Sequence, residues 1–149
     1  MPHVRPVLVS DYINQVTDLI HAHWLETERD FAPNGPAPAV DVYRALEQAG
    51  SILAFGAFDD AETLVGYAVA ILSPHLHYGV LYAHHDLLYV TPAHRRGTLG
   101  LKLMRAIEGA AKDRGAQFST WHAKPGSTLE AILTRSGYQL EESIFKKEF

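Results

Sequence analysis

The segment Asp86-Leu87-Leu88-Tyr89-Val90-Thr91-Pro92-Ala93-His94-Arg95-Arg96-Gly97-Thr98-Leu99-Gly100 sets an apolar β-forming run, a basic turn and the start of a helical pattern in immediate succession. A helix N-terminus leaves its first amides unpaired and carries partial positive charge, so backbone donors around small residues can close on an anion such as a pyrophosphate. Arg95 and Arg96 add formal charge beside it. The same residues also suit an ordinary strand-to-helix turn with solvated arginines, so local physics describes an anion site without naming its ligand.

The second chemical feature is histidine. There are nine, and His75, His77, His84 and His85 lie close together along the chain. In a strand, Asp86 and His84 point to one side and His85 to the other, which puts a carboxylate and an imidazole on a common face. His122 follows a later β-forming run. Single strand histidines, and Tyr78, Tyr82 and Tyr89, also fit as hydrogen-bonded or sheet-packing residues. His75-x-His77 with His84-His85-Asp86 offers two imidazoles and a carboxylate, the ligand set of many iron or zinc sites, but that reading leaves the Arg95 to Gly100 turn unexplained.

The elements that must position these groups follow from periodicity. Ser10 and Asp11 stand ahead of an apolar stripe (Ile13, Val16, Leu19, Ile20, His23, Trp24) that predicts one helix down to about Glu28, with that stripe as its core face. Three prolines and a glycine between Phe31 and Pro38 predict a loop, a candidate lid. Asp41 to Gln48 predicts a second helix stopped by Gly50. Ile52 to Phe58 and Leu64 to Leu72 predict a hairpin around Asp59 to Glu62, and Val80 to Val90 a further strand ended by Pro92. Leu99, Leu103, Ala106, Ile107 and Ala110 predict a long helix ending near Gly115. Gln117 to His122 predicts a strand, Leu129 to Arg135 a short helix, and Tyr138 to Phe149 one or two closing strands. The class is mixed α/β (α+β), and residues 1–149 are expected to form a single domain.

Composition bounds the chemistry further. The chain has 149 residues, of which 47% are hydrophobic and 20% charged, an ordinary globular balance. Without cysteine there is no disulfide, thiolate nucleophile or Cys-ligated metal, and no serine sits in a Gly-x-Ser-x-Gly elbow. A net charge of −4 argues against gripping nucleic acid by its phosphates alone. The start has no charged leader followed by an apolar stretch, and no run is long enough to cross a bilayer, so a cytoplasmic protein without membrane contact is expected.

Val90-Thr91-Pro92-Ala93-His94-Arg95 and the following Gly97-Thr98-Leu99-Gly100 resemble the signature of the GNAT acyl-CoA N-acyltransferase superfamily, a strand ending Val-x-Pro, then Arg or Gln-x-x-Gly-x-Gly or Ala opening a helix. The order of elements matches over nearly the whole chain, including a late Ser136-Gly137-Tyr138. His77-Tyr78, His84-His85-Asp86 and Trp121-His122-Ala123-Lys124-Pro125-Gly126 resemble members encoded by phages and prophages. The resemblance implies a central, mixed and splayed sheet flanked by helices, with acetyl-CoA or a related acyl-CoA between the strand ending at Val90 and that ending near His122. It implies that the backbone of Leu88, Tyr89 and Val90 holds the pantetheine arm, and that Arg95, Arg96, Gly97, Thr98, Leu99 and Gly100 hold the pyrophosphate. Thr98 occupies the place of the first motif glycine, and its hydroxyl could donate to phosphate. Leu133 stands where many members carry a tyrosine general acid, with Tyr138 as a weak substitute.

Transfer to an amine needs the amine neutral and a donor for the developing oxyanion. Asp86 is the first candidate, matching a strand position where some members place an acidic base. An ordinary carboxylate titrating near ~3.9 is a poor base, so Asp86 is better suited to orienting a histidine or binding a cationic amine, with His84 or His122 taking the proton. Glu26, Glu28 and Asp30 form a candidate acidic rim for that amine. The expected acceptor is an amine on a small molecule or protein lysine, with a modified nucleobase open beside them. No metal is expected. Ile144-Phe145 is the candidate segment for a homodimer, and the alternative function is a non-catalytic CoA-binding module of the same fold.

Overall fold

The computed structural model describes residues 1–14 and 16–149. Its elements are β1 (His3–Pro6), α1 (Val9–Tyr12), α2 (Thr17–Thr27), α3 (Val40–Gln48), β2 (Ile52–Phe58), β3 (Leu64–Pro74), β4 (Leu81–Val90), a 3-10 turn (Pro92–His94), α4 (Leu99–Asp113), β5 (Phe118–Trp121) and α5 (Thr128–Arg135). They build one mixed sheet in the order β1-β2-β3-β4-β5. The first three pairings are antiparallel and β4 runs parallel to β5, with α4 as the crossover.

Strand alternation divides the core between two helical layers. Ala57, Ala68, Ala70 and Val90 pack on Leu99, Leu103 and Ile107 of α4. On the opposite face Ile52, Ala54 and Val69 meet Tyr43 and Leu46 of α3, together with Val9 of α1. Small residues at Ala57, Ala68 and Ala70, all without exposure, let α4 approach the sheet closely.

Two expected elements differ. The single first helix is two, and its N-cap is Leu8 rather than Ser10 or Asp11. Glu47 of α3 supplies the missing acceptor: its carboxylate receives the Val9 amide at 2.5 Å and the Ser10 amide at 3.2 Å. The most buried members of the stripe, Ile13 and Val16 at 8% exposure each, sit at the junction between the helices, while Leu19, Ile20, His23 and Trp24 are only half-buried. Residues 138–149 form no strand and are exposed throughout. The adjacent charges Glu141-Glu142 and Lys146-Lys147 break the alternation that a half-buried strand needs, and Ile144 and Phe145 stay exposed.

The second helix ends as expected. Gly50 takes φ +72°, its amide bonds to the Glu47 carbonyl at 3.1 Å, and the Ser51 amide bonds to that of Leu46 at 2.9 Å, a closed left-handed cap. Among the described residues, no helix is long and apolar enough to cross a membrane.

Candidate active site

Pairing between β4 and β5 runs only from Tyr82↔Phe118 to His85↔Trp121. Beyond His85, β4 continues to Val90 while β5 ends at Trp121, so the two strands part and one edge of Asp86 to Val90 is left without a strand partner. At that point the β3–β4 register slips from Val69↔Leu87 to Ala70↔His85, making Asp86 the extra residue of a bulge. A bulge re-aims side chains. Asp86 turns to the layer of α3, where the Tyr43 hydroxyl donates to its Oδ2 at 2.6 Å. Burial and that hydrogen bond hold the Tyr43 hydroxyl protonated, well above its ordinary titration range.

Beyond β4, Thr98 N-caps the 15-residue α4 without a side-chain hydrogen bond, and the helix has no acidic residue in its first turn. Its opening amides therefore face outward with the positive end of the helix dipole. Thr98 has φ −102°, a conformation open to any residue, so threonine at the glycine position costs no backbone strain. A side chain at Gly97 would meet nothing within 4 Å, and one at Gly100 only Val90 Cγ2 at 4.0 Å, which leaves room over the loop. The residues present therefore fit a phosphate-bearing group at this end of β4.

Arg95 departs from its expected part. Its guanidinium is bidentate to Glu26 of α2, with both bonds 2.6 Å, and its Nε donates to the Val90 carbonyl at 2.7 Å. It also lies 5.3 Å over the Tyr89 ring. That side chain ties α2 to the end of β4, and its charge is not free for a phosphate. Arg96 is exposed and enters no ion pair among the described residues. The acidic rim is likewise neutralised: Glu26 by Arg95, Glu28 by Lys124 at 3.2 Å, and Asp30 beside Arg29 at 3.8 Å. Because Lys124 follows β5, α2 spans from one parted strand to the other. The predicted lid loop is held there too, by Trp24 Nε1 on the Ala32 carbonyl at 2.6 Å and by Lys124 lying 4.3 Å over the Phe31 ring.

The three proton-transfer candidates divide. His84 and His122 come together, edge to face at 4.6 Å, with His84 Nδ1 3.3 Å from Thr120 Oγ1. Burial, then the neighbouring His122, lowers the His84 pKa, against an opposing pull from Asp86. Asp86 shares their face of β4 but is bonded to Tyr43. His85, on the α4 face, is 3% exposed and lies flat on Trp121 at 3.7 Å with neither ring nitrogen hydrogen-bonded. Burial, then His84, brings its pKa down to about 4.

Among the described residues no three His, Cys, Asp or Glu side chains converge as a metal would require. His75 instead stacks on Tyr78 at 4.6 Å, and His84 and His85 take opposite faces. Leu133 is buried, and the Tyr138 hydroxyl donates to the Glu108 carboxylate at 2.6 Å, so Tyr138 is committed away from the gap. Cavities of about 510 and 390 Å³ lie beside β5 and at the α1–α2 junction; neither is lined by any residue of the Asp86 to Gly100 segment.

Three residues of this face escaped the sequence reading as site residues. His23 of α2 places Nδ1 2.8 Å from the Tyr67 hydroxyl and stacks on Tyr89 at 4.9 Å, and Tyr43 holds Asp86. The only sequence signal was a histidine within an otherwise apolar stripe.

Comparison with known proteins agrees with this geometry. The sequence model described as the acetyltransferase (GNAT) family matches residues 17–132. No curated protein sequence matches. Among solved structures, an aminoglycoside acetyltransferase from an uncultured soil metagenomic sample superposes with TM-score 0.76 at 18% identity, covering 100% of this chain and 99% of that one. The ribosomal-protein-alanine N-acetyltransferase from Brucella melitensis biovar Abortus 2308 gives 0.71 at 17% identity, with the same coverages. AAC(6')-Iy in complex with a bisubstrate analogue, CoA-S-monomethyl-acetylneamine, gives 0.69 at 17% identity, again over 100% and 99%. At these identities the likeness is one of fold.

Proposed function

Because the chain belongs to the GNAT acetyltransferase family, we propose that it transfers an acetyl group from acetyl-CoA to an amine by direct attack of the amine on the thioester. The observation that carries this reading is the unpaired end of β4 leading directly into the open N-terminus of α4. In this reading the backbone of Leu88, Tyr89 and Val90 holds the pantetheine arm. The amides of Arg96, Gly97, Thr98, Leu99 and Gly100 hold the pyrophosphate and Arg96 supplies the free charge, while Arg95, whose amide donates to the Pro92 carbonyl and whose side chain clamps Glu26, shapes the turn. Bound there, acetyl-CoA supplies an activated acyl carbon and a sulfur leaving group.

Asp86 receives the acceptor as an ammonium, on the oxygen that Tyr43 does not occupy. His84, kept neutral by burial and by His122, takes a proton from nitrogen as the amide forms, and exposed His122 stands between it and solvent. With no cysteine in the chain, an acyl-cysteine route is closed. Similar folds carry the names of aminoglycoside and ribosomal-protein-alanine acetyltransferases, so small cationic amines and protein amines are the acceptor classes to screen, with an aminated nucleobase beside them. Since Glu26 and Glu28 are already paired, Asp86 is the carboxylate left to meet an ammonium, which favours one amine at the reacting centre over recognition by bulk negative charge. A second copy covering the exposed Ile144 and Phe145 belongs to the same proposal, and sedimentation would show it as a dimer.

The competing reading is a CoA-binding module without turnover, favoured by buried Leu133 at the usual acid position and by the commitment of Tyr138 to Glu108. Calorimetric titration with acetyl-CoA followed by an acceptor screen separates the two. Micromolar binding with turnover supports transfer, and binding with none across the screen supports the module. Asp86→Asn should raise KM for an ammonium acceptor about tenfold or more. An unchanged KM and kcat would remove Asp86 from the site.

A further inference from the structure

An ammonium docked at Asp86 has no lone pair, and making an amide from it requires nitrogen to lose two protons, whereas His84 accounts for one. From the placement of His23 we infer that this imidazole is a second proton acceptor of the site, taking the proton that the ammonium must lose before it can attack. This rests on the acetyltransferase reading above and assigns a step which that reading leaves without a residue.

The geometry is specific. His23 projects from α2 onto the face of β3 and β4 that carries Asp86, stacks on Tyr89 at 4.9 Å and 20°, and is held at Nδ1 by the Tyr67 hydroxyl at 2.8 Å. Tyr67 and Tyr89 are cross-strand partners, so two buried rings fix the plane of the imidazole. In the tautomer with hydrogen on Nδ1, that N–H donates to the Tyr67 oxygen and the Nε2 lone pair is left to receive a proton.

The charges facing the ring come from every element around it: Glu26 and Glu28 on its own helix, Asp86 on β4, and Arg95 beyond β4. Burial is the largest influence and keeps the resting ring neutral, while Glu28, Glu26 and Asp86 favour its charged form and Arg95 opposes it. A base that rests neutral beside Asp86, a carboxylate with no cation paired to it among the described residues, is suited to transient protonation.

The proton count closes. The ammonium gives one proton to His23 Nε2, and the resulting lone pair attacks the acyl carbon. A second proton passes from nitrogen to His84 as the C–N bond is completed. The C–S bond breaks with its electrons on sulfur, which takes the proton from His84. His23 returns its proton to solvent, so one proton is released per turnover. Tyr67 acts as a positioning residue.

Two measurements test the step. In 15N NMR of the wild-type protein at pH 7, with the resonance assigned by its loss in His23→Gln, His23 should be neutral with hydrogen on Nδ1; an imidazolium or the Nε2–H tautomer overturns the inference. In kcat/KM profiles over a panel of alkylamines, aminoglycosides and lysine peptides, His23→Gln should lose about a hundredfold at pH 7. That deficit should close as the pH approaches the amine's own pKa, about 10.4 for a lysine-like amine, because solvent then supplies the free amine. A constant deficit at all pH values marks a structural role and overturns the step, as does no deficit. Tyr67→Phe keeps the packing and should show a smaller deficit of the same pH shape; a wild-type profile from that variant also overturns it. Wild-type protein that binds acetyl-CoA but acetylates no amine of the panel overturns the acetyltransferase reading and the His23 step together. Turnover unaffected in His23→Gln overturns the His23 step alone.

Discussion

Gly100→Asp separates the stability of α4 from its proposed part in binding, because the two should move in opposite directions. Gly100 is the second residue of α4, and a Cβ there meets only Val90 Cγ2 at 4.0 Å, so the substitution fits without moving the strand. An acidic residue in the first turn of a helix stabilises it by about 0.3–1 kcal/mol, and aspartate is no worse a helix former than glycine. The melting temperature should hold or rise. Binding should fall, because the new carboxylate would lie roughly 5 Å from any phosphate on these amides. Each phosphate charge at that distance is repelled by about 0.8 kcal/mol in a water-like dielectric and about 3.3 kcal/mol at an effective dielectric constant of ~20. With two pyrophosphate charges the repulsion is about 1.6 kcal/mol even in the water-like limit, so affinity for acetyl-CoA should drop about fifteenfold or more. Gly109→Asp is the control: it lies on the same helix in open space, nine residues on, roughly 13.5 Å along the axis, and should leave affinity unchanged. Calorimetric titration and thermal melting of the three proteins read both effects. Wild-type affinity in Gly100→Asp, or equal losses in both variants, would refute the placement of the anion at this helix end.

Two further predictions concern the histidine and the ion pair that the fold buries or clamps. His85 has its pKa lowered from 6.5 to about 4 in the folded chain, so the unfolded chain binds the proton first; the folded state should be fully stable above pH 6.5 and lose on the order of 3 kcal/mol as the pH falls to about 4. His85→Phe, which preserves stacking on Trp121, should remove that share of acid sensitivity in denaturant titrations from pH 7 to pH 4, and an unchanged pH dependence would refute it. For the clamp between α2 and β4, Glu26→Gln should cost under about 1 kcal/mol, since the pair is partly exposed, whereas Arg95→Ala should cost about 1–2 kcal/mol because it also orphans the Val90 carbonyl and uncovers Tyr89. The hydrogen bond from Arg95 lowers the Glu26 pKa, so what the pair contributes is lost as the pH falls through that lowered value. Equal melting temperatures for the two variants would show that Arg95 does no more than neutralise Glu26.

Elements governed by near neighbours in the chain were legible beforehand. The hairpin of β2 and β3, the left-handed cap at Gly50, the body of α4 and the strand–turn–helix from Asp86 to Gly100 depend on periodicity, turn chemistry and backbone freedom, all local quantities. The family signature lies in that same stretch, which is why fold and family could be anticipated together. Where local periodicity met a distant partner it misled. The first helix breaks in two, and its start is capped by Glu47 from α3 rather than by its own Ser10 or Asp11. The C-terminal residues have β-forming types but no alternation that would bury one face, and they pair with nothing as strands.

The roles of individual charged groups were decided by tertiary structure alone. Arg95 belongs to the motif in sequence, yet its guanidinium is claimed by Glu26 at 2.6 Å, and the acidic rim is neutralised by residues remote along the chain. His84 and His122 become a pair, and His23 comes to lie against Tyr67 and Tyr89, only when β5 and α2 are laid beside β4. Hydrogen bonds and ion pairs act over a few ångströms and record no sequence separation. A chain's local pattern can therefore specify which backbone amides open a helix, whereas which side chains remain free to do chemistry there is decided by what the fold packs against them.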